Sequence, residues 1–174
     1  MSKFGGIVEP HGTYIRWVVT AFYKIVFIVN LVNGFMRTPK IAALSRMINF
    51  LQLHYHLLPV DNLKPLDISP IDSNAWLSGM WDADGGFALT ISKASDMSMG
   101  YRVKIKAKIE LATEYRRGAN LTLSGSSYQP ILRTIADYFA VRTVRPVTRL
   151  RHGTLYHSYV VETSSDLSFF FEKT

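Results

Sequence analysis

The sequence predicts an α+β protein in which an antiparallel sheet carries its helices on one face. Three observations predict it. Residues Tyr101 to Leu111 alternate apolar and charged side chains without a break, the period of a strand with two unlike faces. From Asn74 onward the pattern reads α-β-β-α-β-β-α, the order of an α+β unit. A plan of hairpin followed by apolar helix occurs near both ends of the chain, which points to an internal duplication.

The first copy of that plan runs as Phe4 to Glu9, a turn at Pro10-His11-Gly12, and Tyr14 to Val19. A helix is expected over Ala21 to Val32, stopped by Asn33-Gly34. A second helix comes next, with Thr38 as its cap and Pro39 at its first position. Ile41, Leu44, Ile48, Leu51 and Tyr55 fall on one of its faces. Pro59, Pro65 and Pro70 then forbid one helix or a central strand between Pro59 and Asn74. The chain therefore divides into residues 1–58, a linker over 59–74, and a larger part over 75–174.

In the larger part a short helix is expected over Asn74 to Asp84, and strands over Phe87 to Lys93 and Tyr101 to Leu111. An amphipathic helix covers Tyr128 to Phe139, and a last hairpin joins Val141–Arg149 to Leu155–Val161. The second copy of the plan is His152-Gly153-Thr154 with Val160-Val161, set against His11-Gly12-Thr13 with Val18-Val19. Its apolar helix is expected over Ser165 to Phe171.

Composition removes several classes. The chain has no Cys, which excludes disulfide scaffolds, thiolate zinc sites and cysteine nucleophiles. Its five His show no ligand spacing beyond His54-x-His56. Met1 to Gly6 lacks the apolar stretch of a signal peptide. Trp17 to Met36 has the length of a membrane span and one charge, Lys24, but Thr20, Asn30 and Asn33 interrupt it; no membrane partner is expected.

The net charge is +7, and Tyr101 to His157 alone hold eleven basic and three acidic residues. So localised a surplus implies a polyanion, duplex DNA or structured RNA. The expected strand gives it a shape. Tyr101, Val103, Ile105, Ala107, Ile109 and Leu111 share one face, and Arg102, Lys104, Lys106 and Lys108, followed by Glu110, share the other. Period two spaces those cations roughly 6.5–7 Å apart, near the phosphate spacing of one nucleic-acid strand. Arg145, Arg149 and Arg151 extend the field on the next hairpin.

Trp76 to Gly85 carries the chemistry. Ala75, Gly79 and Ala83 recur every four residues, a smooth stripe that suits a closely packed second helix or a covering sheet. Asp82 and Asp84 sit in the last helical turn, where the helix dipole disfavours anions by roughly 0.3–1 kcal/mol each. Gly85 is read as the residue that ends the helix. Carboxylates held there beside cations suggest a bound Mg²⁺ at a phosphate.

Leu77 to Gly85 (LSGMWDADG) resembles the signature of the LAGLIDADG homing endonucleases. Asn33 to Ile41 (NGFMRTPKI) is similar to a segment that fungal mitochondrial members carry between their two repeats. Ser69 to Leu77 (SPIDSNAWL) resembles the lead-in to their second motif. The resemblance covers nearly the whole chain. It implies a saddle of αββαββα repeats with antiparallel sheets, here the end of a first repeat joined to most of a second that stops at Thr174. It implies motif helices that meet at the centre, nucleic acid along the sheets, and an acidic residue ending each motif helix that binds the catalytic Mg²⁺. That role falls on Asp84, with Lys40 as a basic residue that assists at the neighbouring active site and Asp82 as a helix-end residue. At Ile109-Glu110-Leu111 an apolar group replaces an amide found in many members.

The resemblance implies two candidate functions. One is an intron-encoded, Mg²⁺-dependent, site-specific DNA endonuclease of mitochondria. With one motif helix, it would act as a homodimer through Ala75, Gly79 and Ala83, or with a complementary fragment. The other is a non-catalytic RNA-binding protein, an intron maturase or a component of a mitochondrial ribosome or similar RNP assembly.

Overall fold

The computed structural model describes residues 5–55, 59–93, 100–115, 127–151 and 153–170 of the 174. The chain forms two compact units, Met1–Ile68 and Ser69–Thr174, and the division falls inside the proline-rich stretch. His56, His152 and the basic pair Arg116 and Arg117 lie outside the described residues, as do Phe4 and Phe171 at the ends of two expected elements.

Unit 1 opens with strands β1 (Ile7–His11) and β2 (Tyr14–Val18), paired antiparallel. His11 pairs with Tyr14, so the turn is Gly12-Thr13 rather than Pro10 to Gly12. Gly12 has φ +63°, the backbone that a two-residue hairpin asks of its first position. Helices α1 (Phe22–Val32) and α2 (Ile41–His54) come after the hairpin. Val26 and Val29 of α1 meet Leu44, Ile48 and Leu51 of α2 in one core, so the expected apolar face of α2 is the buried one. Its start differs. Thr38, Pro39 and Lys40 form a tight lead-in turn, with Ile41 N–H donating to Thr38 C=O at 3.1 Å, and the helix proper begins at Ile41.

Asn30 and Asn33 explain why the apolar helix is interrupted. Asn30 Nδ2 donates to Pro59 C=O at 2.7 Å and its Oδ1 accepts Asp61 N–H at 3.1 Å. Asn33 repeats this with Asn62 C=O at 2.8 Å and Lys64 N–H at 2.9 Å. The two amides thus satisfy the backbone of residues 59–64, which has no helix or sheet of its own. Arg37 and Asp67 close the strap with a 2.8 Å ion pair. Among the described residues, no helix is long and apolar enough to cross a membrane.

Unit 2 contains α3 (Trp76–Asp84), β3 (Gly85–Lys93), β4 (Gly100–Ala112), α4 (Gln129–Tyr138), β5 (Arg145–Arg151) and β6 (Thr154–Phe170). The strands form one antiparallel sheet in the order β3-β4-β6-β5. Ile109, Leu111 and Val161 on one sheet face pack against Ile131, Leu132 and Ile135 of α4. Trp76, Leu77, Met80 and Trp81 of α3 close the same core. The helices cover only that end of the face. Phe87, Leu89, Ile91, Tyr101 and Ile105, on the same face by register, are exposed.

Two expectations are corrected here. Residues 165–170 are not helical but continue β6, pairing as far as Gly100 with Phe170. The backbone of β4 offers hydrogen-bonding partners along its whole length, and local helical patterning loses to them. The two hairpins also differ by one residue in register, since β5 and β6 close at Arg151 with Thr154, whereas the repeated His-Gly-Thr would close at the next pair. The duplication therefore extends to hairpin and turn glycine, not to the segment after the second hairpin.

Candidate nucleic-acid interface

The register of β4 assigns each side chain to a face, because directly paired residues share one. Lys104 pairs with Thr90 and Asp166, Lys106 with Ala88 and Ser164, and Lys108 with Gly86 and Glu162. Glu110 pairs with Val160, which pairs in turn with Arg145. Arg149 pairs with Tyr156, two steps along β6 from Ser158. One face of the sheet thus holds Lys104, Lys106, Lys108, Arg145 and Arg149 together. Arg102 and Arg151 take matching backbone positions in β4 and β5, and their side chains lie outside the described residues.

The cations are not a row of bare charge. Lys106 Nζ donates to Glu162 Oε1 at 3.0 Å, with Arg145 3.7 Å from the other oxygen. Lys108 lies 2.6 Å and Arg149 3.0 Å from Glu110 Oε2. Ser158 Oγ, fully buried, donates to Glu110 Oε1 at 2.7 Å. Partial burial pushes the Glu110 carboxyl up, but the Lys108 and Ser158 hydrogen bonds and the Lys108 and Arg149 charges outweigh it and hold it below the ordinary value. The Lys106 hydrogen bond does the same for Glu162, against a smaller opposing effect of burial. The sequence showed Glu110 at the end of the basic strand. Glu162 was missed, although two steps from Val160 put it on the same face.

Asp84 stands at the edge of this field. It is the last residue of α3, and β3 starts at the next position, so the helix delivers its carboxylate to the sheet. With Lys106, Lys108, Glu110 and Glu162 it lines a cavity of about 320 Å³. Gly85 is extended rather than left-handed, with φ −89° and ψ 169°. Its lack of a side chain is still required, because a Cβ would lie 2.6 Å from the Trp81 carbonyl oxygen. Asp82 is exposed on the helix. Burial pushes the Tyr128 hydroxyl up, and the charges of Tyr115, Asp84 and Tyr156 add to the effect.

Ala75, Gly79 and Ala83 are all exposed, and a Cβ at Gly79 would touch nothing within 4 Å. The sheet therefore does not cover the smooth stripe. Leu111, which the resemblance sets against an amide, is buried in the core on the far face. Its neighbour Glu110 is the side chain that this end of β4 turns toward the cavity, beside Lys106 and Lys108. Lys40 is exposed on the turn before α2 and belongs to unit 1.

Fit to Mg²⁺ is limited but specific. Among the described residues no group of three His, Asp or Glu could hold a metal. Glu110 and Glu162 are already engaged by cations. Asp84 supplies one hard oxygen donor facing lysines that would draw phosphate, and Mg²⁺ commonly takes one or two carboxylates with the rest from phosphate and water.

A motif helix that runs straight into an antiparallel αββαββ unit, with its terminal Asp at the charged sheet face, is consistent with the fold of the LAGLIDADG homing endonucleases, and the chain resembles that family. It is 36% identical over 152 residues to the intron-encoded DNA endonuclease aI3 of Saccharomyces cerevisiae. The match covers 81% of this chain and 36% of that protein, so the chain spans little more than a third of its relative's length. No protein-family model matches the sequence.

Proposed function

We propose that the chain binds duplex DNA across the charged face of its four-stranded sheet and, together with a second motif helix, cuts it as a Mg²⁺-dependent, site-specific endonuclease. The observation that carries this reading is the shared cavity: Asp84 opens onto the space lined by Lys106 and Lys108. Cations on one sheet face would hold the backbone, and the α3 terminus would bring a carboxylate to a phosphate seated there. Mg²⁺, when bound, would supply Lewis-acid stabilisation of the charge that develops on the phosphate. Asp84 would hold it.

The exposed stripe of Ala75, Gly79 and Ala83 supports a second helix docking on α3, from another copy or from a fragment carrying the other motif. Small residues let the backbones approach closely. The relative's description as an intron-encoded DNA endonuclease supports DNA as the substrate and an intron as the coding origin. The likeness of Asn33 to Ile41 to fungal mitochondrial members supports mitochondria as the place of action.

The test starts from a randomised duplex library, from which the chain selects its bound sequences. Selected duplexes are then incubated with the chain, alone and with a fragment supplying a second motif helix. Nicking or cutting that needs Mg²⁺, lost in Asp84→Asn while binding persists, is the expected result. Preference for structured RNA, with no cutting in any combination, would replace the endonuclease by the RNA-binding role.

A further inference from the structure

The charged face carries an acid that the binding reading leaves unused. Glu162 lies on β6, between β4 and β5, and draws Lys106 from one side at 3.0 Å and Arg145 from the other at 3.7 Å. A lysine and an arginine converging on one anion is also how a backbone phosphate is held. Glu110 makes a similar bridge between Lys108 and Arg149, yet the two acids are held differently. Glu110 is anchored by buried Ser158 and its side chain is 18% exposed. Glu162 is 29% exposed and is held by Lys106 and Arg145, with the charge of Lys108 also acting on it.

We propose that Glu162 is a placeholder for a DNA backbone phosphate: in the free protein it occupies the seat between Lys106 and Arg145, and it is displaced when DNA docks. The inference rests on the reading that this face binds DNA, and it adds which contact is exchanged. Glu110 stays in place and keeps Lys108 and Arg149 positioned. Before docking, the placeholder holds two flexible cations at a common anion site, so less side-chain freedom is lost on binding. Its release in turn opposes the binding of any duplex. The depressed titration of Glu162 keeps it ionised at neutral pH, as a placeholder must be.

The experiment measures binding of a random-sequence duplex to the full chain across a range of salt concentrations. Wild type is compared with Glu162→Gln and with Asp137→Asn. Glutamine keeps the shape and can still accept from Lys106. Asp137 lies exposed on α4, beyond the opposite sheet face, and its change alters the formal charge equally. Glu162→Gln is expected to bind about fivefold tighter, with a salt dependence steeper by about 0.9 in log–log slope. Asp137→Asn should stay within about twofold of wild type, because screening hides a charge that far away.

If wild type binds and Glu162→Gln binds equally or more weakly, Glu162 is a positioning residue and the placeholder is overturned while the DNA reading stands. An equal gain in Asp137→Asn would also overturn it, since net charge alone would then account for the effect. If neither wild type nor Glu162→Gln binds duplex DNA, the reading falls and the inference with it.

Discussion

At Gly85 the last helical turn of α3 becomes the first residue of β3, and the whole site hangs on that junction. The Trp81 carbonyl oxygen and indole sit where a Cβ would go, at 2.6 Å. Gly85→Ala must therefore shift α3 or the Trp81 ring, and Asp84 with it. A destabilisation of about 2 kcal/mol is expected, in the range of an overpacked site, read as a lower urea midpoint at unchanged slope. The sequence identified the glycine for a different reason, as the residue that ends the helix. Its actual reason, close approach to a side chain four residues back, depends on an extended exit that the local sequence does not specify. Asp84 was legible because a carboxylate in the last helical turn works against the helix dipole. Glu162 was not, because nothing near it in sequence marks it as a partner of Lys106.

At the scale of elements, the strap over residues 59–68 shows what polar residues inside an apolar run can do. Asn30 and Asn33 bind its backbone, and Arg37 holds its end through Asp67, with side chains 2% and 10% exposed. Removing one partner of a buried pair leaves the other charge uncompensated. Asp67→Asn is expected to destabilise unit 1 by about 3 kcal/mol, measured by denaturant unfolding. An unchanged midpoint would mean that the Arg37 guanidinium finds other acceptors as good. The helices of this unit were legible from their periodicity, and α2 buries the face that its spacing marks out. The strap was read as a boundary from its prolines, since proline reports where a helix cannot be and says nothing of what the backbone leans on. Residues 165–170 show the reverse failure. Their local pattern reads as a helix, but the free length of β4 offers a ladder, and pairing decides.

For the molecule as a whole, the charged sheet face couples stability to pH. Glu110 and Glu162 titrate below 4.5 in the folded chain, and near 4.5 when unfolded. The unfolded chain therefore takes up these protons first as pH falls. The stabilisation they give is complete above about pH 6 and is lost as pH drops through and below 4.5. Urea midpoints should be flat from neutral pH down to that range and then fall. In a Glu110→Gln, Glu162→Gln chain the fall should be smaller. An equal fall in both chains would assign the acid sensitivity to other carboxylates.

The sequence by itself determined the α+β class, the helices of both units, the alternation of β4 and the motif that ends in Asp84. Each is set by residues within a few positions of one another, through side-chain period, capping and turn chemistry. Only the tertiary structure decided which charges meet. Lys106 and Glu162 lie 56 residues apart, and Ser158 and Glu110 lie 48 apart. Strand order and register bring such pairs onto one face, and a shift of one residue would send every side chain of a strand to the other side. The chain supplies the cations of the face, and the ladder decides which acids Lys106, Lys108, Arg145 and Arg149 meet.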